Sequence, residues 1–509
     1  MRTALSLFLL LKLPLTSGYV TSYAVIPQNK QIKWLKKLTG DICNSPAGQL
    51  TDDMIEAAPE IMKGWTSWKH PNTENALAVE ALLKRLVDES KAGNPKALPT
   101  TFDYNCLLEI WARSGAGAFA AERCEQILME MEERHHKGNS KVQPNLSSFK
   151  AVLMAWRQSG ESYSPHRAQR VLNWMVRLHA EGKNDLVLPD SDCFDIVLQS
   201  WSQSQQRSAP RQAEKLLGKM ETLSRETSSP KLRPNTLSFN AVLNAWAKSK
   251  ENRAWLRVLD VLSFMEYLYY REGNTRVRPD SATYNIVMSC LARSGDEGSA
   301  PKADAILKRI ELEYKAGNLG WAPGTILFNC AMGCWTKSRS SGAYRRARSL
   351  LDRQINIFEG GCEESRPDVF GFTSVLSSCA SEPGSFEEKG KAFNVALATF
   401  QLLVSRSDEF GTPNHVTYGT MLKACSRLLP YGSPIRQKWT RRLFEDCKRE
   451  GQVGDMVLSR LREAATPDEY KEMMEGHSKR HPPAQWRRNV SETNDYRHKV
   501  IASRRRAEL

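Results

Sequence analysis

Apolar and polar positions along this 509-residue chain recur with a period of 44 to 46 residues. Prolines mark the period at Pro99, Pro144, Pro189, Pro234, Pro279, Pro323, Pro367 and Pro413. Five residues after each proline stands an aromatic ring: Tyr104, Phe149, Phe194, Phe239, Tyr284, Phe328, Phe372 and Tyr418. Nine after it stands Leu or Met: Leu108, Leu153, Leu198, Leu243, Met288, Met332, Leu376 and Leu422. Twelve after it the chain places Trp111, Trp156, Trp201, Trp246 and Trp335, with Leu291, Cys379 and Cys425 in the other copies. Val or Leu mostly precedes the Leu/Met column. Offsets of 5, 8, 9 and 12 lie i, i+3, i+4 and i+7 on a helix and make one apolar face. A mostly small residue just before the Trp column (Ala155, Ser200, Ala245, Cys290, Cys334, Ser378, Ala424; Ile110 departs) predicts close helix–helix contact.

A second helix is predicted in each period. Ala168/Leu172/Met175, Ala213/Leu217/Met220 and Ala303/Leu307/Ile310 have helical spacing and follow Pro165, Pro210 and Pro301. Proline suits a first helical turn, where its missing N–H would have no partner anyway. One helix pair cannot bury its apolar face alone, so neighbouring pairs must stack; the pattern predicts an all-α solenoid of helix-turn-helix repeats.

Around eight repeats at residues 99–457 the chain divides further. Residues 1–40 hold no Asp or Glu, and Arg2 precedes an apolar run from Ala4 to Leu11. By composition this is an organelle-targeting segment, for a mitochondrion or a plastid, removed from the mature chain. Residues 41–98 read as a degenerate N-terminal capping repeat, with a legible helix from Ala76 to Leu86. Residues 458–476 read as a C-terminal capping helix, with Thr466, Pro467 and Glu469 forming a capping box. Residues 477–509 carry nine Lys/Arg against three acids, including Arg504-Arg505-Arg506, and read as a disordered basic tail. The joints before each proline, such as His136–Lys141, Arg225–Ser229 and Glu272–Thr275, are polar and read as loops.

Charge sharpens this picture. The formal net charge is +15, and a basic surface on a helical array predicts a polyanionic partner. No internal apolar run reaches the roughly 20 residues needed to span a bilayer, so no membrane span is expected. The eleven cysteines are odd in number and form no Cys-x-x-Cys. They read as small buried hydrophobes in a reducing compartment.

The columns resemble a known family. Pro234-Asn235 followed by Phe239-Asn240-Ala241-Val242-Leu243-Asn244-Ala245-Trp246 is similar to the start of a pentatricopeptide repeat. So are Thr283-Tyr284-Asn285-Ile286-Val287 after Pro279-Asp280, and Thr417-Tyr418-Gly419-Thr420-Met421 after Pro413-Asn414. The resemblance covers roughly residues 70–457. The repeats are longer than the usual kind and resemble the long variant in the repeat region of protein-only RNase P. The resemblance implies a right-handed α-solenoid that binds single-stranded organellar RNA, one base per repeat. It also implies the readers: the residue after the aromatic, paired with the residue after the next proline. Carried over, Asn240 with Asp280 and Asn329 with Asp368 resemble uracil readers. Asn105 with Asn145 resembles a pyrimidine reader, and Thr373 with Asn414 an adenine reader. Asn285 lacks its partner, because Gly324 follows Pro323. The apolar residues two places before the aromatic, Phe102, Leu237, Ile326, Phe370 and Val416, would wedge between bases. Two repeats depart: Lys150 with Asp190 and Asp195 with Asn235 are charged, and their wedge positions are Ser147 and Asp192, so no ordinary base contact is expected there. Two residues after the Trp column stand Arg113, Lys248, Arg293, Lys337 and Arg427, expected to contact phosphates.

No motif points to catalysis, a cofactor or a metal. His179-Ala180-Glu181 has the His-x-Glu spacing of zinc deaminases, but no Pro-Cys-x-x-Cys follows. Cys330 and Cys334 share a helix face without further ligands. About 50 residues follow the last repeat, too few for the nuclease domain of protein-only RNase P. The expectation is therefore a non-enzymatic RNA binder that protects, positions or recruits organellar RNA. The alternative from another class is a protein–protein scaffold of an organellar ribosome or RNA-processing complex.

Overall fold

The computed structural model describes residues 28–46, 48–227, 229–477 and 482–490. Among these residues the chain forms twenty-two α-helices, short 3-10 turns and no strand. It folds as two compact units, residues up to Ala245 and residues from Trp246 onward.

In the first unit the helix pairs are Asp52–Thr66 with Thr73–Lys91, Thr101–Arg113 with Gly117–His136, Leu146–Ser159 with Ser164–Ala180, and Ser191–Gln203 with Ala209–Glu226. The first helices of successive pairs pack on one another in chain order, and each second helix also packs on the next first helix. The second unit repeats this order in Ser281–Ser294, Thr325–Ser338, Val369–Cys379 and His415–Leu428, each followed by its second helix.

The columns read from the sequence form the core. The eight aromatic rings and the eight Leu/Met side chains are all buried. So are Ala155, Ser200, Cys290, Cys334, Ser378 and Ala424, the small residues that let first helices approach. The column tryptophans Trp111, Trp156 and Trp201 bury their rings and still satisfy their indole N–H groups. Trp111 and Trp156 donate to Glu80 (2.9 Å) and Glu125 (3.0 Å), each on the second helix of the preceding repeat.

Four expectations change, three of them in the joints and at the C-terminal end. The joints are ordered rather than plain loops. Each of the turns Pro95–Ala97, Ser140–Val142, Asp185–Val187, Pro230–Leu232 and Thr275–Val277 is 3-10 helical. Each ends in a buried apolar residue two places before the proline: Ala97, Val142, Val187, Leu232 and Val277. Asn94, Asn139, Asn184 and Asn274 start four of the turns by accepting a backbone N–H two residues on. The polar joint is thus an anchored turn. Second, residues 458–476 are not one helix. Asp455–Ala464 packs on the first helix His415–Leu428, and Pro467–Met473 follows with the expected Thr466–Glu469 capping box, so one further, shortened pair follows the eight repeats. Third, part of the basic tail is docked. Trp486 lies edge-on to Phe444 at 5.8 Å, Lys448 Nζ stands 4.9 Å from its ring, and its carbonyl accepts from Val453 N. Arg504-Arg505-Arg506 lies outside the described residues.

At the other end, the boundary expected at residue 40 falls inside the helix Gln28–Cys43. Leu35 and Ile42 of that helix are buried, and Thr39 accepts from Trp65 Nε1 at 3.0 Å. The rest of the expected targeting segment, residues 1–27, lies outside the described residues. No helix among the described residues is long and apolar enough to cross a membrane.

Candidate nucleic-acid interface

The residue after each proline is the N-cap of a first helix. Asn145, Asp190, Asp280, Asp368 and Asn414 each accept backbone N–H groups of the first turn through the side chain. The residue after the aromatic lies between one and two turns further in. Stacking brings that residue of one repeat against the N-cap of the next. Within the first unit Asn105 Nδ2 donates to Asn145 Oδ1 at 3.2 Å. Within the second, Asn329 Nδ2 reaches both carboxylate oxygens of Asp368, at 3.1 and 3.2 Å. Thr373 bonds Thr417 at 3.0 Å, whose hydroxyl in turn bonds Asn414 at 3.2 Å. Asn285 finds Ser281 of its own helix at 3.5 Å, since Gly324 offers no side chain. Asn240 and Asp280 fall in different units; Asp280 caps its own helix, accepting from Thr283 N at 2.7 Å.

The two charged repeats are paired within the protein. Lys150 Nζ sits 2.6 Å from Asp190 and 2.8 Å from Asp192. Burial pulls its ammonium down, yet the bonds to the two carboxylates hold it above the ordinary lysine range. Asp195 is buried; Asn235 Nδ2 donates to its Oδ2 at 2.9 Å, and the Ser238 hydroxyl donates to its Oδ1. Burial pushes the Asp195 carboxyl above its usual range, more than these donors lower it.

Sequence reasoning missed one column here. Four residues after the proline stand Ser148, Ser238, Thr283 and Thr417. Their hydroxyls bond their own N-caps, and those of Ser148, Ser238 and Thr417 also reach the preceding repeat, at Asn105 (2.6 Å), Asp195 and Thr373 (3.0 Å). The signal was present as a recurrent capping box.

In each unit exposed apolar side chains stand one helical turn before the reader positions, Phe102 and Leu237 in the first and Ile326 and Phe370 in the second. Phe102, Leu237, Ile326 and Phe370 are 46 to 64% exposed, against the usual fate of such residues. Val416 is half-buried, and the corresponding Ser147 and Asp192 are exposed and polar. Amide and carboxylate groups next to exposed apolar side chains can match the edges and faces of an unstacked base.

The basic column sits at the far end of the first helices. Arg113 donates to the carbonyls of Thr66 and Trp68, Arg293 to Ala247 and Lys337 to Ala292. These bonds place a cation on the C-terminal end of the preceding first helix, where its dipole is negative. Arg427 is exposed. Three of the five expected phosphate contacts therefore also tie one repeat to the last. Among the described residues no group of three or more His, Cys, Asp or Glu is arranged to hold a metal. No protein-family model matches the chain, and no curated protein matches it.

Proposed function

We propose that this chain is a single-stranded RNA-binding protein of the pentatricopeptide repeat kind, a right-handed solenoid acting in organellar RNA metabolism. It serves processing, stability or translation by holding RNA and recruiting partners, without cutting. One observation carries this reading: residues six after one proline and one after the next, far apart in sequence, meet as polar pairs beside exposed apolar side chains. Asn105–Asn145 and Asn329–Asp368 are such pairs, flanked by Phe102 and by Ile326 and Phe370. The net charge of +15 supports a polyanionic partner.

The test is selection from a random single-stranded RNA pool at physiological salt. Enrichment of a short pyrimidine-rich motif, lost in Asn329→Ala, is expected. Weak binding without enrichment, vanishing as salt rises, overturns base reading.

A second reading, a protein scaffold in an organellar ribosome or RNA-processing complex, is favoured by a different surface. Phe264, Tyr267 and Tyr270 on one second helix and Leu312 on the next are 42 to 60% exposed. Co-purifying proteins that survive RNase treatment would favour it.

A further inference from the structure

We propose that the hydroxyl four residues after the proline is a positioning residue: it sets the orientation of the reading side chain in the preceding repeat. This rests on the base-reading proposal above and names residues it does not include.

The argument is clearest at Ser148. Its Oγ accepts from the Asn145 backbone N–H at 3.1 Å, which fixes where its one proton can go. That proton points to Asn105 Oδ1 at 2.6 Å rather than to Asn145 Oδ1 at 3.2 Å. The carbonyl end of the Asn105 amide is thereby held towards Ser148, and its nitrogen is left facing Asn145 Oδ1, to which it donates at 3.2 Å. A flipped amide would set two oxygens, Asn105 Oδ1 and Asn145 Oδ1, against each other. One hydroxyl thus fixes which end of the reader is donor and which acceptor, and a base edge is read by that distinction. The Thr417 hydroxyl stands in the same relation to Thr373 at 3.0 Å, and Ser238 to Asp195.

The repeats without a hydroxyl are consistent with this role. Cys193 occupies the position behind Lys150, which two carboxylates hold instead. Leu327 stands behind Asn285, which, facing neither a hydroxyl there nor a side chain at Gly324, turns to Ser281 of its own helix. Gly371 stands behind Asn329, and there the buried Asn329 Oδ1 has no hydrogen-bond partner.

The experiment uses the full chain and a random single-stranded RNA pool, comparing wild type with Ser148→Ala, Ser148→Thr and Thr417→Val. The expected result for Ser148→Ala is a loss of about tenfold in base discrimination at one nucleotide. Preferences at other nucleotides and helix content stay as in wild type, and Ser148→Thr keeps the discrimination. Thr417→Val should flatten a different single nucleotide, giving an independent test should Ser148→Ala lower stability. Uniform weakening across all sequences in both variants would make the hydroxyls structural and overturns the proposal. So does full retention of discrimination, in which case base reading itself stands. A wild-type protein with no preference at any nucleotide overturns the base-reading proposal, and this one with it.

Discussion

Two positions in the first unit differ by little more than one atom group. Asn105, Asn145 and Ser148 form one triad; Asp195, Asn235 and Ser238 form the other. Serine donates to the central side chain in both, and the N-cap asparagine turns Oδ1 to its own helix in both. In the first triad the central amide supplies the proton between the two side chains, so Asn145 Nδ2 is not used within the triad. In the second the central carboxylate has no proton to give, so Asn235 spends its Nδ2 on Asp195 at 2.9 Å. Exchanging an amide nitrogen for a carboxylate oxygen turns the neighbouring amide inward and buries a charge. The fold is indifferent to the exchange; the hydrogen-bonding output of the surface is not.

Swapping the two tests this most severely. Asn105→Asp should cost ten- to a hundredfold in affinity for RNA carrying the base preferred at that position, the range expected for one well-placed base contact. Asp195→Asn should create a preference at a repeat where none is expected of wild type, weaker because the flanking Asp192 is polar and exposed. Quantitative selection with both variants decides it. If the two substitutions leave the selected motif unchanged, the triads do not read bases.

Much of this was legible in the chain. The repeat, its two helices and the buried columns follow from a 3.6-residue periodicity that the core enforces. The pairing of Asn105 with Asn145 and of Asn329 with Asp368 came from the family resemblance and needed only repeats stacked in order. What escaped has a common cause: residues that look polar or merely small in isolation acquire partners a whole repeat away. Ser148 reads as a helix cap until Asn105 is placed beside it. Val142 is a single apolar residue in a polar joint and Val187 the middle of the short run Leu186–Leu188, both too brief for a periodicity, yet both are buried. Arg113 looks like a free cation until the end of the helix Asp52–Thr66 arrives beneath it.

Gln354 isolates the amide effect from binding. It stands thirty-one residues after its proline, where other repeats place Met175, Met220, Met265 and Ile310. It is fully buried, and neither Oε1 nor Nε2 has a hydrogen-bond partner. An unmet buried polar group costs about 1–3 kcal/mol, and methionine has a similar shape. Gln354→Met should therefore stabilise the second unit by about 1 kcal/mol or more in urea unfolding, with the selected RNA motif unchanged. A destabilised variant would mean that the amide is satisfied in solution.

The smallest effect concerns the proton that separates the triads. Burial is the main cause raising the Asp195 carboxyl above its ordinary value; the donors Ser238 and Asn235 oppose it, and Asp192 and Asp190 add to it. A carboxyl whose folded pKa lies above its unfolded one binds its proton more tightly in the folded chain. Its stabilising contribution is complete below the unfolded value, about pH 4, and is lost as pH rises through the folded value. Asp195→Asn cannot titrate. The stability of Asp195→Asn relative to wild type should therefore rise from pH 4 upward and level off once Asp195 is ionised in the folded protein. Urea midpoints of the two proteins at matched pH values measure the difference directly. A gap that narrows as pH rises would show that the ionised carboxylate is favoured in place, by its two donors or by charges across the repeat. Protonation also gives Asp195 back a hydrogen of the kind Asn105 carries, so the two triads should be most alike in acid and most different at neutral pH.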